Sequence, residues 1–381
     1  MSRRSRSPNP LARLLPALLA AAVLAGCGSD GPPPEPPLPE SALEAVVESP
    51  GVEREKLARK IDALFTAEGI GETRAVIVMH RGEVVAERYA EGFGPGTRFI
   101  GWSLSKTVTG LMIGALVAEG QLALDESPPI PRWQRSGDPR GEITIRQLLQ
   151  MRSGLRHAEA SDPVYESPEV RMMFLDGRDD MAAWAQAQPL EHEPGAEFDY
   201  STNTSVILAD VAARVLAPGA GPDARREAVA GFLESRLATP MGAPSFTGEF
   251  DAQGTMLAGS NIWATARDWA KLGELLRNGG SKGGVQLVPR SWVDFMRRPS
   301  PRASDYGAHL WLNRASGNDR TVLWPAQGPD TAFAAVGHLG QYVVVSPEQG
   351  LTVVRLGKST NEERDLMVPL LAELFALYPL T

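Results

Sequence analysis

Strand-like runs stand near both ends of this 381-residue chain, with a long helical stretch between them. Ala75-Val76-Ile77-Val78-Met79 and Glu83-Val84-Val85-Ala86-Glu87 flank His80-Arg81-Gly82, a short link whose glycine suits a hairpin turn. Residues 331–336, 341–345 and 351–356 read as three more strands, punctuated by His338-Leu339-Gly340 and by Ser346-Pro347-Glu348-Gln349-Gly350. A hairpin is marginal in water unless further strands or a helix cover it, so the two groups are expected to share one sheet. Before the first hairpin, Leu57, Ile61, Leu64 and Phe65 recur at helical spacing within residues 52–68. Helical patterns follow at 107–119, 145–151, 201–216, 224–237 and 266–278, with Asp179-Asp180 as an N-cap before residues 181–186. A last helix spans about 362–377, and Pro369 must kink it or mark its first turn. The order implies an α+β fold in which an antiparallel sheet, built from about 52–100 and 300–381, carries flanking helices and a mainly helical insertion at about 120–255.

Composition narrows the function classes. With 43% apolar and 22% charged residues the chain can bury a large core without staples. A formal charge of −8 offers no basic footprint for nucleic acid. The single cysteine, Cys27, excludes an intramolecular disulfide, a multi-cysteine zinc site and a paired-thiol redox centre. That cysteine ends an N-terminal segment in which Arg3, Arg4, Arg6 and Arg13 precede an apolar run from Leu14 to Leu24 and the small residues Ala25 and Gly26. Residues 1–26 therefore read as a secretory signal peptide, too short and too interrupted by Pro16 for a membrane span. Leu24-Ala25-Gly26-Cys27 resembles the lipobox of bacterial lipoproteins. The resemblance implies a lipid on Cys27, and Gly28 after it implies retention at the outer membrane, facing the periplasm. Losing the four arginines takes the formal charge from −8 to −12. Residues 27–51, with Gly31-Pro32-Pro33-Pro34-Glu35-Pro36-Pro37, read as a semi-rigid linker, and residues 52–381 as the catalytic body.

Three short motifs carry chemistry. Ser103-Leu104-Ser105-Lys106 opens the first long helix after the hairpin. Residues three apart share a helix face, so Lys106 can reach the Ser103 hydroxyl. A helix N-terminus also stabilises developing negative charge, and an amine beside a hydroxyl can serve as the base that a weak nucleophile needs. Tyr200 follows a turn at Pro194-Gly195 and stands just ahead of another helix. Gly337-His338-Leu339-Gly340-Gln341 lies between two strands. His157 and His192 have no partner at zinc spacing.

Together, and in this order, the motifs resemble the serine β-lactamase and penicillin-binding-protein superfamily, in particular its class C-like branch of esterases and 6-aminohexanoate-dimer hydrolases. Ser-x-x-Lys, with its serine as nucleophile, is a signature of that superfamily. The likeness runs from about Leu57 to Tyr378 and includes the run from Ile143 into Ser153-Gly154-Leu155 and that from Ala264 to Asn278-Gly279-Gly280. It implies Ser103 as the acylated nucleophile, with Lys106 and Tyr200 as the general-base pair. It implies an oxyanion hole from the N–H groups of Ser103 and Gln341, and a substrate wall of His338 and Gly340 to which Trp102, Tyr306 and Trp311 are candidate additions. Neither a cofactor nor a metal is implied. Two positions depart from the β-lactamase pattern. Thr202 stands where those enzymes usually carry asparagine, with Asn203 one step on, and neutral His338 replaces the lysine that helps to hold a β-lactam carboxylate. The expected substrate is a small carboxylic ester or linear amide. Rival readings are a penicillin-recognising D-Ala-D-Ala peptidase or β-lactamase and, from another class, a non-catalytic envelope binding lipoprotein.

Overall fold

In a computed structural model, which describes residues 37–318 and 320–380, the strand runs of both chain ends enter one sheet. Strands β1 (Glu72–His80), β2 (Glu83–Tyr89), β3 (Trp311–Leu312), β4 (Phe333–Gly337), β5 (Gln341–Ser346) and β6 (Leu351–Lys358) lie in the order β2-β1-β6-β5-β4-β3. Every neighbouring pair is antiparallel. The last long strand of the chain thus pairs with the first.

The register explains the core. Ile77, Val354, Val343 and Ala335 form one cross-strand row, and Val78, Val353, Val344 and Ala334 form the next. Successive side chains point to opposite faces, so the first row enters one hydrophobic core and the second enters another. A strand covered on both faces reads as a continuous apolar run, which is why Val343-Val344-Val345 shows no alternation.

Helices α1 (Arg54–Thr66), α2 (Leu104–Ala118), α3 (Thr202–Leu216), α4 (Ala266–Arg277) and α5 (Asn361–Phe375) supply the layers. Buried residues of α1 and α5 fill the core on one face. Those of α2, α3 and α4 join the core on the other. Pro369 lies inside α5, which begins with a capping box at Thr360 and Glu363. The insertion is helical, as expected, but it has no core of its own: Leu148 and Val206 share one cluster with Ile77 and Val354 of the sheet. A three-stranded sheet of Arg98–Ile100, Ile262–Thr265 and Thr247–Gly248 adds to the expected elements, because strands this short carry no readable period.

The segment read as a signal peptide, Cys27 and the proline run through Pro36 lie outside the described residues. The expected linker boundary at residue 51 is corrected. From Leu38 onward the chain belongs to the folded body. The helix Glu40–Glu44 buries Ala42, Val46 bridges to Ala86, and the Val47 N–H donates to the Val85 carbonyl at 3.0 Å. The apolar residues at 38, 43 and 46 join a core, a contribution that the proline run ahead of them masks in the sequence. Among the described residues no helix is long and apolar enough to cross a membrane.

Candidate active site

Ser103 occupies the N-cap position of α2, yet its side chain makes no capping bond. The turn that delivers it is tight. Gly101 donates to the Ile262 carbonyl at 2.8 Å, and any Cβ there would fall 2.5 Å from the Trp269 ring. Trp102 adopts φ +48°, a region costly for a bulky residue. Leu104, Ser105 and Lys106 donate to the carbonyls of residues 101, 102 and 103, whereas the Ser103 N–H meets no acceptor among the described residues. The hydroxyl and the free N–H both belong to the N-cap residue of an α-helix, at its positive end.

Because α2 is buried from Leu104 to Leu116, it carries Lys106 into the core at 2% exposure. An unpaired ammonium there would be very costly. Lys106 Nζ instead donates to Ser103 Oγ at 2.9 Å, Thr202 Oγ1 at 2.8 Å and the Gly259 carbonyl at 2.9 Å. It also lies 4.9 Å from the centre of the Tyr200 ring and 3.8 Å from Glu159. Burial alone would lower its pKa, but Tyr200, Glu159 and Glu169 together turn the shift upward. The resting side chain is an ammonium. On the far side of the same turn, His309 Nδ1 bonds the Lys106 carbonyl at 2.6 Å, and burial lowers that imidazole to a pKa of about 3.

Tyr200 reaches the site on an extended run that is anchored where the Asp199 N–H donates to the Met151 carbonyl at 2.8 Å. Its ring packs against Tyr306 and Trp311 at 5.8 and 5.3 Å, and its hydroxyl faces Ser103 and Lys106. Burial raises the Tyr200 pKa and Glu159 adds to the rise, while Lys106 and Ser103 oppose it. The structure therefore brings Ser103, Lys106 and Tyr200 together around one point.

The opposite wall is the end of β4. Strand β3 covers β4 only at Phe333 and Ala334, and beyond them Val336, Gly337, His338, Leu339 and Gly340 line the cavity with Ser103. Gly337 is required there, since a Cβ would lie 2.3 Å from the Gly101 carbonyl. The His338 N–H has no acceptor among the described residues.

Three expected placements change. Gln341 does not line the cavity: at 3% exposure it starts β5 opposite Gly337. Its side chain donates to the carbonyls of His338, Leu339 and Gly357 and accepts the Gly357 N–H. It is the clamp behind the turn, because the turn after β4 places residue 341 already inside the sheet. Tyr306 is 1% exposed and stands behind Tyr200 and Trp311, so packing and not substrate contact is its role; Trp311 is the aromatic that lines the cavity. Trp102 does not line the cavity either, but sets its ring edge-on to His338 at 5.3 Å. Gly340 holds φ +79°, with the Arg355 guanidinium bonding its carbonyl at 2.9 Å.

Glu159 joins the site without any signal in the sequence. It lines the cavity and grips Thr202 through two hydrogen bonds of 2.7 Å. A lone acid in a polar loop has no period or motif to announce it. His157 is buried against the Ala185 carbonyl at 3.3 Å, and Asn203 turns away toward the Pro168 carbonyl. The cavity encloses about 920 Å³, and Arg320, Trp324 and Arg364 also line it.

The beta-lactamase family model matches residues 61–376, and the chain belongs to that family. It is 25% identical over 299 residues to the 6-aminohexanoate-dimer hydrolase of Paenarthrobacter ureafaciens, covering 74% of this chain and 72% of that one. It is 32% identical over 180 residues to esterase EstB of Burkholderia gladioli, covering 41% of this chain and 45% of that one. The fold is shared with the crystal structure of a family VIII carboxylesterase, at a TM-score of 0.61 and 18% identity over 85% of this chain and 96% of that one. The protein is an enzyme of the serine hydrolase type.

Proposed function

We propose that the enzyme hydrolyses small carboxylic esters or linear amides through an acyl-enzyme on Ser103. The observation that carries this reading is the 2.9 Å contact between Lys106 Nζ and Ser103 Oγ, beside Tyr200 and open to a cavity. In the base form of the Lys106–Tyr200 pair, Ser103 Oγ attacks the substrate carbonyl as its proton passes to the pair. The oxyanion falls between the N–H groups of Ser103 and His338, and one such donor is worth about 10²–10³ in rate. The pair then returns the proton to the departing alkoxide or amine. Water attacks the acyl-enzyme in the second half, giving its proton to the same pair and releasing the acid.

The names of the relatives, an esterase and a 6-aminohexanoate-dimer hydrolase, support the reading that both esters and linear amides are substrates. His338 argues for esters and linear amides over β-lactams, because partial desolvation lowers its pKa and it offers no fixed cation to a carboxylate. A fluorophosphonate probe is expected to label the wild type and not Ser103→Ala, with short-chain p-nitrophenyl esters hydrolysed far faster than a chromogenic cephalosporin. Absence of labelling would reject the acyl-enzyme, and efficient cephalosporin cleavage with little esterase activity would favour the β-lactamase reading.

A further inference from the structure

Outside the group of Ser103, Lys106 and Tyr200, the Glu159 carboxylate enters the cavity, 3.8 Å from Lys106, and shares a hydroxyl partner with it. Ser201, at the N-cap of α3, makes no side-chain cap, and Glu159 supplies one from a distant loop. Glu159 Oε2 accepts the Thr202 N–H at 2.7 Å, and Oε1 accepts the Thr202 Oγ1–H at 2.7 Å. A hydroxyl has one proton to give. With that proton committed to the carboxylate, Thr202 can meet Lys106 only as an acceptor, as it does at 2.8 Å. The Gly259 carbonyl, the second partner of Nζ, is likewise an acceptor only. When Lys106 is a neutral amine with one lone pair, the Ser103 hydroxyl is the one of these three partners that can donate to it, and the Tyr200 hydroxyl, which faces both groups, is the other O–H within reach.

We propose that Glu159 is a positioning residue which, through Thr202, sets the direction of the hydrogen bonds around Lys106 so that the amine lone pair is turned from Thr202 toward the Ser103 and Tyr200 hydroxyls. The inference rests on the acyl-enzyme reading above. In the acylation step the Ser103 O–H bond breaks, its proton joins Nζ and the Oγ–carbon bond forms. The carbonyl π pair becomes the oxyanion. Glu159 gains and loses no proton. Besides Glu159, the titratable groups that face Lys106 are Tyr200 and Glu169, and His309 bonds its carbonyl. Glu169, at the start of helix Pro168–Phe174, is pushed up to about 7 by burial and by the Glu159 charge.

Glu159→Gln tests this, because the amide can donate to Thr202 Oγ1 and release the hydroxyl proton toward Lys106. The expected result is a fall of about 10–100-fold in the fluorophosphonate labelling rate and in ester kcat/KM, with KM changing less than about threefold. Thr202→Val is expected to lose a similar factor, and adding Glu159→Gln to it less than about twofold more, since the two residues act in series. Glu159→Asp, which keeps two acceptors, is expected to recover much of the rate. The acidic limb of the kcat/KM profile is expected to move to lower pH in Glu159→Gln, because the lost charge is one that raises Lys106 and Tyr200. Wild-type labelling rates in Glu159→Gln, an unmoved pH limb, or losses that multiply fully in the double variant would each overturn the assignment. A wild type that no serine probe labels would instead remove the acyl-enzyme reading on which it stands.

Discussion

A lysine buried to 2% exposure is tolerated because its three donors are matched by three acceptors and two carboxylates stand nearby. Burial lowers Lys106 but Tyr200, Glu159 and Glu169 outweigh it, and burial with Glu159 raises Tyr200, so the resting pair carries one proton more than its base form. Activity must therefore grow as that proton leaves. We expect ester kcat/KM to rise with pH and to be still climbing at about pH 8, and a plateau reached below neutrality would contradict the assignment. Lys106→Ala and Tyr200→Phe are expected to lower turnover by orders of magnitude in folded protein. At this scale the sequence is half legible. Ser103 and Lys106 announce each other because a helix sets residues three apart on one face. Glu159 lies 43 residues from Thr202 and is coupled to it only in space.

The turn after β4 illustrates the element scale. His338-Leu339-Gly340 is readable as a link between strands, but not which residue of it meets the nucleophile. A hairpin one residue longer or shorter would put a different N–H on the cavity wall. The answer rests on Gln341, whose amide spans the carbonyls of His338, Leu339 and Gly357. Gln341→Ala would leave these buried groups short of partners, each worth about 1–3 kcal/mol, and would loosen the wall that carries the proposed oxyanion donor at His338. The expected outcome is a lower melting temperature together with a kcat reduced about tenfold at nearly unchanged KM. Stability loss with full kcat would mean that the clamp does not serve the site.

For the whole molecule, the sheet ties residues 72–89 to residues 333–358, so neither chain end folds its core alone. The segment from Leu38 to Gly51 is part of that assembly. Deleting residues 38–51 exposes the core edge around Ala86 and is expected to cost about 2–4 kcal/mol, seen as a reduced melting temperature. An unchanged melting temperature would restore the linker reading of this segment. The five long helices and the five longer strands of the main sheet are legible in the sequence to within a few residues. Their apolar runs and periods are long, whereas β3 and the three-stranded sheet are too short to show either.

The sequence alone determined the fold class and the family, and it singled out Ser103, Lys106 and Tyr200 as the candidate site, because these depend on local period, on fixed helical spacing and on motif order. Only the tertiary structure decided which groups surround them: Glu159 as the partner of Thr202, Gln341 as a clamp, Tyr306 as packing and residues 38–51 as core. Those roles depend on burial and on distances between segments remote in the chain, and neither is a property of any stretch of sequence by itself.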